Sequence, residues 1–423
     1  MGGTSLTHGL WGRTAPAAPA TKPLDGSTRA DVAIIGAGFT GLSAALHLAE
    51  AGTDAVVLEA EEPGFGGSGR NVGLVNAGLW LPPADIAAAV GVETGQRLNA
   101  ALGASPALVF SLIERFGIDC EAVRNGTLHL AHAPAGFADL ARRHAQLSAI
   151  GAPVTLLDER ETEARTGSRA FYGALHDARA GTIQPLAYAR GLAAAALAAG
   201  ARIHTGTMVT GLERGAGGWT VATARGTVTA DTVILATNAY TGALAPGLSR
   251  TVTPVHYFQC ATEPLPERTL AEILPRREGT WDTGMVMASF RLDRAGRLIV
   301  GSIGRLDHAG AVAHRTWAER VMHRAFPQTR GLALDGGWFG RIGMTADHIP
   351  RFHEPEPGLL AVIGYNGRGV GPGTVFGKAL AAFARSRDAA DMPLPRTSPH
   401  DWPWRPVRAA FWEAGAVAWH TVD

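Results

Sequence analysis

Asp31-Val-Ala-Ile-Ile-Gly36-Ala-Gly38-Phe-Thr-Gly41, with Ala55-Val-Val-Leu-Glu59 downstream, decides the fold. Asp31 to Ile35 reads as a short apolar strand. Phe39 to Ala51, with Leu42, Ala45 and Leu48 on one side, has helical spacing, and Ala55 to Leu58 reads as a second strand. In such a βαβ unit Gly36 permits the tight turn, Gly38 the close approach of a pyrophosphate, and Gly41 the close packing of helix on strand. Phe39 and Thr40 open the helix, whose N-terminus supplies amide donors and the positive end of a dipole. Glu59, with Ala60 after it, closes the second strand about twenty residues on, where a carboxylate accepts hydrogen bonds from ribose hydroxyls. The unit predicts a bound dinucleotide, and Glu59 argues against a 2′-phosphate without choosing between NAD and FAD.

Two later stretches make that choice. Gly64-Phe-Gly-Gly67-Ser68-Gly-Arg70-Asn71-Val72-Gly73 is a second glycine-rich loop, for which a simple NAD domain has no use. An extended flavin does need it, because backbone must pass close to its ribityl chain and ring. Gly364-Tyr-Asn366-Gly367-Arg368-Gly369-Val370-Gly371-Pro-Gly-Thr374 leads into a helix predicted over Thr374 to Ala384. Amides at that N-terminus can face the flavin positions that gather negative charge on reduction, with Arg368 as an auxiliary cation.

The totals limit the remaining possibilities. A chain of 423 residues exceeds one ordinary core and predicts two closely packed domains. Its net charge of +1 gives no long-range attraction to nucleic acid or acidic membrane, so a small-molecule ligand is expected. Cys120 and Cys260 form neither a disulfide framework nor a metal-type cluster, so no metal centre is expected. Neither a secretory apolar core nor a stretch long enough to span a bilayer is present, and a cytoplasmic location is expected.

The predicted organisation is α/β: a Rossmann-like FAD-binding domain interleaved with a substrate domain built on an antiparallel sheet with flanking helices. Residues 1–29 read as a surface arm. Residues 30–80, 152–245 and 336–390 are assigned to the FAD-binding domain, 81–151 and 246–335 to the substrate domain, and 391–423 to an irregular tail. Alternation in Val255 to Thr262, Val286 to Leu292 and Leu298 to Ile303 suggests a sheet with one face on a core and one facing a ligand.

With Ser68-Gly-Arg-Asn, Gln184-Pro185, Val233-Ile-Leu-Ala-Thr-Asn-Ala-Tyr, Thr262-Glu-Pro-Leu and Gly340-Arg-Ile-Gly-Met-Thr-Ala-Asp-His-Ile-Pro added to the first fingerprint, the chain resembles the D-amino-acid oxidase superfamily of FAD-dependent oxidoreductases. The resemblance covers almost the whole chain and is strongest to the branch of γ-glutamylputrescine oxidase-like and L-pipecolate oxidase-like proteins. It implies that Ser68, Arg70 and Asn71 lie against pyrophosphate and flavin. It also places Val209 near the adenine, Ala236 and Thr237 along the cofactor, and Asn366 to Gly371 at the pyrimidine end of the ring. Some relatives attach flavin through Cys or His. Here Gly343 stands near where that cysteine would align and the Gly64 to Gly73 loop holds no His, so noncovalent FAD is expected.

The expected activity is oxidation of a C–N bond in a small amine or amino acid, by hydride transfer to flavin, with oxygen or another carrier as electron acceptor. A cyclic secondary amino acid and a γ-glutamylated polyamine are the favoured substrates. On the strand near residue 257, either His256 with Phe258 or Tyr257 with Gln259 would line the pocket. Arg291 and Arg341 are candidates for a substrate carboxylate, because Arg offers a planar bidentate fork. The competing readings are an idle FAD-binding subunit and a flavin monooxygenase. The second lacks its expected Gly-Asp motif, since Gly371-Pro-Gly stands there instead.

Overall fold

The computed structural model describes residues 7–423. Thr28–Ile35, Ala55–Leu58, Arg202–His204, Thr227–Leu235 and Leu359–Ile363 form the parallel centre of a nine-stranded sheet. Strands covered on both faces must be apolar along their whole length, and Ala33–Ile35, Val56–Leu58 and Val233–Leu235 are buried throughout. The helices Phe39–Glu50, Pro185–Ala198 and Val370–Ser386 contribute Leu42, Leu46, Leu192, Phe376 and Leu380 to one apolar core with that sheet.

The second sheet has eight strands, ordered Leu334–Met344, Thr253–Pro264, Arg297–Ile303, Ser289–Leu292, Gly279–Asp282, Thr127–Leu130, Ala174–Asp177 and Val154–Leu157. Its pleat separates two surfaces. Phe258, Phe290 and Val300 face a core completed by Trp317, Met322 and Phe326 on and just beyond the helix Ala311–Ala325. Tyr257, Gln259 and Ser289 face a cavity between the two sheets.

The sheets divide the chain differently from the expectation at three places. Val154–Leu157 and Ala174–Asp177 were expected with the first sheet but pair with each other and, through Thr127–Leu130, with the second. Leu334–Met344 pairs antiparallel with Thr253–Pro264, so it too belongs to the second sheet. Such pairings are chosen over long sequence distances, and local apolar patterning does not record them.

Two terminal expectations need correction. The N-terminal stretch is not a surface arm: Leu10–Thr14 is helical, and Trp11 is completely buried against Trp338, with its indole Nε1 donating to Asn71 O at 2.9 Å. Residues 1–6 of that stretch lie outside the described residues. The tail is not wholly irregular either, because Arg405–Val422 is a helix that buries Ala416 and His420. Among the described residues, no helix is long and apolar enough to cross a membrane.

Candidate functional site

A cavity of roughly 810 Å3 runs from the ends of the parallel strands to the free face of the second sheet. Gly36, with φ at 101°, makes the turn after the first strand, and its N–H donates to Leu58 O at 2.9 Å. A Cβ on Gly41 would lie 1.9 Å from Gly36 O, so the expected requirement for glycine is met by direct packing rather than by ligand contact. Glu59 Oε2 accepts from Ala37 N at 2.6 Å and Oε1 from Glu61 N at 3.0 Å, while its carboxylate lines the cavity. Burial raises its pKa, and those backbone hydrogen bonds work against the rise.

The loop Gly64 to Gly73 folds over this turn. Ser68 Oγ accepts from Phe39 N at 3.1 Å, so one helix-opening amide is already taken. Asn71 ties the loop to itself: Nδ2 donates to Gly67 O and Ser68 O, and Oδ1 accepts from Gly73 N. Arg70 is buried, stacked over the Phe65 ring at 4.2 Å, and donates to Thr7 O and Phe65 O. It anchors the loop as well as lining the cavity.

At the far end the helix starts at Val370, four residues before the prediction. Pro372 fits its first turn, where a missing N–H removes no helical hydrogen bond. Gly373 and Gly377 let this helix lie against Phe39–Glu50, since Cβ atoms there would meet Phe39 Cβ at 3.3 Å and Thr40 O at 2.4 Å. Packing thus accounts for part of the glycine cluster. Gly369 caps the helix at the cavity wall with nothing within 4 Å of its added Cβ.

Of the expected cofactor residues, Gly36, Gly38, Phe39, Thr40, Glu59, Ala60, Gly67, Ser68, Arg70, Asn71, Val72, Val209, Ala236 and Thr237 line the cavity, as does the whole run Asn366 to Gly371. Gly41 and Gly73 lie behind it: a Cβ on Gly73 would sit 2.0 Å from Ile183 O. The strand alternation resolves to Tyr257 and Gln259 on the cavity side. His256 turns towards Glu413, and Phe258 joins the core.

Arg291 requires correction as a substrate contact. It is 1% exposed, lies outside the cavity, and donates to Val72 O, Ile183 O and Leu292 O, with its guanidinium 5.4 Å from the Trp11 ring. Burial lowers its pKa to about 10, so it stays charged at neutral pH. Arg291→Leu strips those buried carbonyls of their donor and should cost about 3–5 kcal/mol in chemical denaturation. KM of the surviving folded enzyme should stay within about twofold, whereas a substrate anchor would raise it far more.

Two other cations do line the reacting end. Arg341 is exposed, 5.1 Å from the Tyr240 ring. Arg368 lies between Trp80 and Trp281 at 5.0 and 5.2 Å, Nη1 donates to Ala77 O, and Nε has no partner. Burial, and to a lesser degree Arg143, lowers its pKa to about 9. Sequence reasoning missed the apolar walls, Trp80, Trp281, Met285, Met287 and Trp412, which arrive from three separate segments with no shared motif.

A glycine turn on a parallel sheet, a ribose-type carboxylate and a cavity reaching a second sheet define a dinucleotide-dependent oxidoreductase of two interleaved lobes. The family model described as "DAO: FAD dependent oxidoreductase" matches residues 31–383, and the chain belongs to this family, whose cofactor is FAD. It is 33% identical over 374 residues to the "Probable oxidoreductase OrdL" of Rhizobium meliloti (strain 1021), covering 88% of this chain and 86% of that one. To the "Gamma-glutamylputrescine oxidoreductase" of Escherichia coli (strain K12) it is 32% identical over 410 residues, 95% of this chain and 94% of that one. Glycine oxidase from Geobacillus kaustophilus shares the fold, with a TM-score of 0.71 at 24% identity over 86% of this chain and 96% of that one. The protein is an FAD-dependent amine or amino-acid oxidoreductase.

Proposed function

We propose that the protein oxidises a C–N bond of a γ-glutamylated diamine, and the Gln259 amide carries this choice of substrate. Gln259 is buried on the cavity wall with neither Nε2 nor Oε1 hydrogen-bonded. One donor and one acceptor complement the amide of a γ-glutamyl linkage, which a cyclic amino acid lacks. A buried amide left unpaired costs about 1–3 kcal/mol, so a ligand that pairs it is favoured over one that does not. Arg368 and Arg341 provide cations for the glutamyl carboxylate. The name of the Escherichia coli relative supports the same substrate class.

The chain's own residues bind and orient. Glu59 would hold the adenosine ribose, the turn Gly36 to Thr40 with Ser68 would receive the pyrophosphate, and the helix end at Gly369 and Val370 would offer its amides to the flavin. Bound FAD would supply the hydride acceptor, and the burial of Cys120 and Cys260 away from the cavity supports the reading that neither cysteine attaches it. Trp80, Trp281 and Tyr257 shield the amine carbon from water. Tyr257 is no base, since burial raises its pKa and its hydroxyl is engaged with Ser289 Oγ and Gly301 O. The reactive amine therefore loses its proton to solvent before it reacts.

Anaerobic mixing with γ-glutamylputrescine should bleach the visible flavin band, with kcat/KM rising with pH up to the substrate amine pKa. Bleaching by L-pipecolate alone would replace the proposed substrate with a cyclic one. A protein that stayed yellow with every amine would be an idle FAD binder.

A further inference from the structure

We propose that His308, His314 and Glu413 form a divalent metal site of zinc type that fastens the C-terminal helix to the body of the protein. The three donor atoms lie within 4.8 Å of one another. His308 Nε2 is 2.7 Å and His314 Nε2 3.8 Å from Glu413 Oε1. Tetrahedral zinc with bonds of about 2.0–2.1 Å sets its donors about 3.4 Å apart, so one of these distances opens and the other closes by roughly half an ångström.

The surrounding hydrogen bonds fix which nitrogen of His314 is bare. Ser302 Oγ donates to Met287 O at 2.9 Å and therefore accepts from His420 Nε2, 3.4 Å away. Neutral His420 then has only its Nδ1 lone pair to offer to His314 Nδ1 at 2.6 Å, so His314 carries its proton on Nδ1. Its Nε2 is left as an unprotonated lone pair, completely buried, without a partner, and facing a carboxylate. Two acceptors facing each other, one of them completely buried, call for a cation between them. An imidazole ligand whose other N–H is held by a second group is the usual arrangement around a bound metal.

His308 completes the set at a cost, because its Nδ1 accepts from Gly310 N at 2.9 Å. Binding through Nε2 moves the His308 proton to Nδ1 and releases that amide. Two imidazoles and one carboxylate, with a fourth position open beside the part-exposed His308 and Glu413, suit Zn2+ or Co2+ rather than Ca2+ or Mg2+. The site adjoins the substrate cavity without belonging to it. Trp412, next to Glu413, lines the cavity, and His256, 3.6 Å from Glu413 Oε2, precedes Tyr257. Metal binding thus fixes one wall of the cavity, and the assignment holds whatever the substrate.

The test is calorimetric titration of chelator-treated holoenzyme with Zn2+, together with Co2+ difference spectra. One equivalent should bind with a Kd near or below about 1 μM and raise Tm, and cobalt should give tetrahedral d–d bands. Glu413→Gln keeps the shape and His308→Gln alters a part-exposed position, so both variants should retain flavin while losing at least about 100-fold in metal affinity. His314→Ala opens a buried site and serves only if it keeps its flavin. Absence of stoichiometric binding, or binding left unchanged by Glu413→Gln and His308→Gln, would overturn the site and leave a protonated His314 as the cation facing Glu413.

Discussion

Gly41→Ala is expected to yield a folded but colourless protein. The added Cβ meets Gly36 O at 1.9 Å, and neither atom can yield, because one belongs to the first turn of a core helix and the other to the backbone of the turn. The helix Phe39–Glu50 must withdraw from the strand, and the cradle at Gly36 to Thr40 opens. We expect FAD affinity to fall at least about a thousandfold, about 4 kcal/mol, read from flavin titration of the apoprotein. Gly52→Ala is the control. Gly52 has φ at 75° with open space around it, so its substitution should cost about 1 kcal/mol of stability and leave the protein yellow. Wild-type affinity in Gly41→Ala would remove this turn from the cofactor site.

Arg368→Leu carries the second large effect. Its guanidinium is held between two indole rings and its Nε is unpaired, so a carboxylate there would meet a desolvated cation. With the proposed γ-glutamylated substrate, kcat/KM should fall about 100- to 1000-fold, or about 3–4 kcal/mol, mainly through KM. An analogue lacking the carboxylate should react nearly alike with both enzymes. Exposed and screened, Arg341→Ala should lose less than about tenfold. A drop in kcat at unchanged KM would instead make Arg368 a flavin-facing cation.

The nucleotide end was legible because its geometry is local. A turn at positive φ, a helix touching a strand and a carboxylate closing the next strand each demand particular residues within a few positions, and Gly36, Gly41 and Glu59 are those residues. The alternating strand near Tyr257 was equally readable, although its pattern offered two faces and only the opposing core of Phe290 and Trp317 chose between them. The short helix at Leu10 escaped notice because Leu10 and Trp11 alone carry its burial, among glycine, proline and polar neighbours. Arg291 was expected at a substrate carboxylate and Arg368 beside the flavin, both as cations of the reacting end. One lies on the cavity-facing side of its sheet but is stopped by the backbone carbonyls of Val72 and Ile183 before it reaches the cavity, and the other opens on it, a difference set by tertiary packing. The imidazole cluster left no local trace, since His314 and His420, in direct contact, are separated by 106 positions.

The cavity wall combines residues as early as Ile35 with Trp412, close to the end of the chain. Domains fold as they emerge during synthesis, N-terminal parts first, but here the first βαβ unit meets about a quarter of the cavity lining, from Gly340 to Trp412, only late in the chain. A premature stop that removes only the last twenty or so codons would leave every glycine of the nucleotide turn in place and still strip Trp412 from the pocket wall.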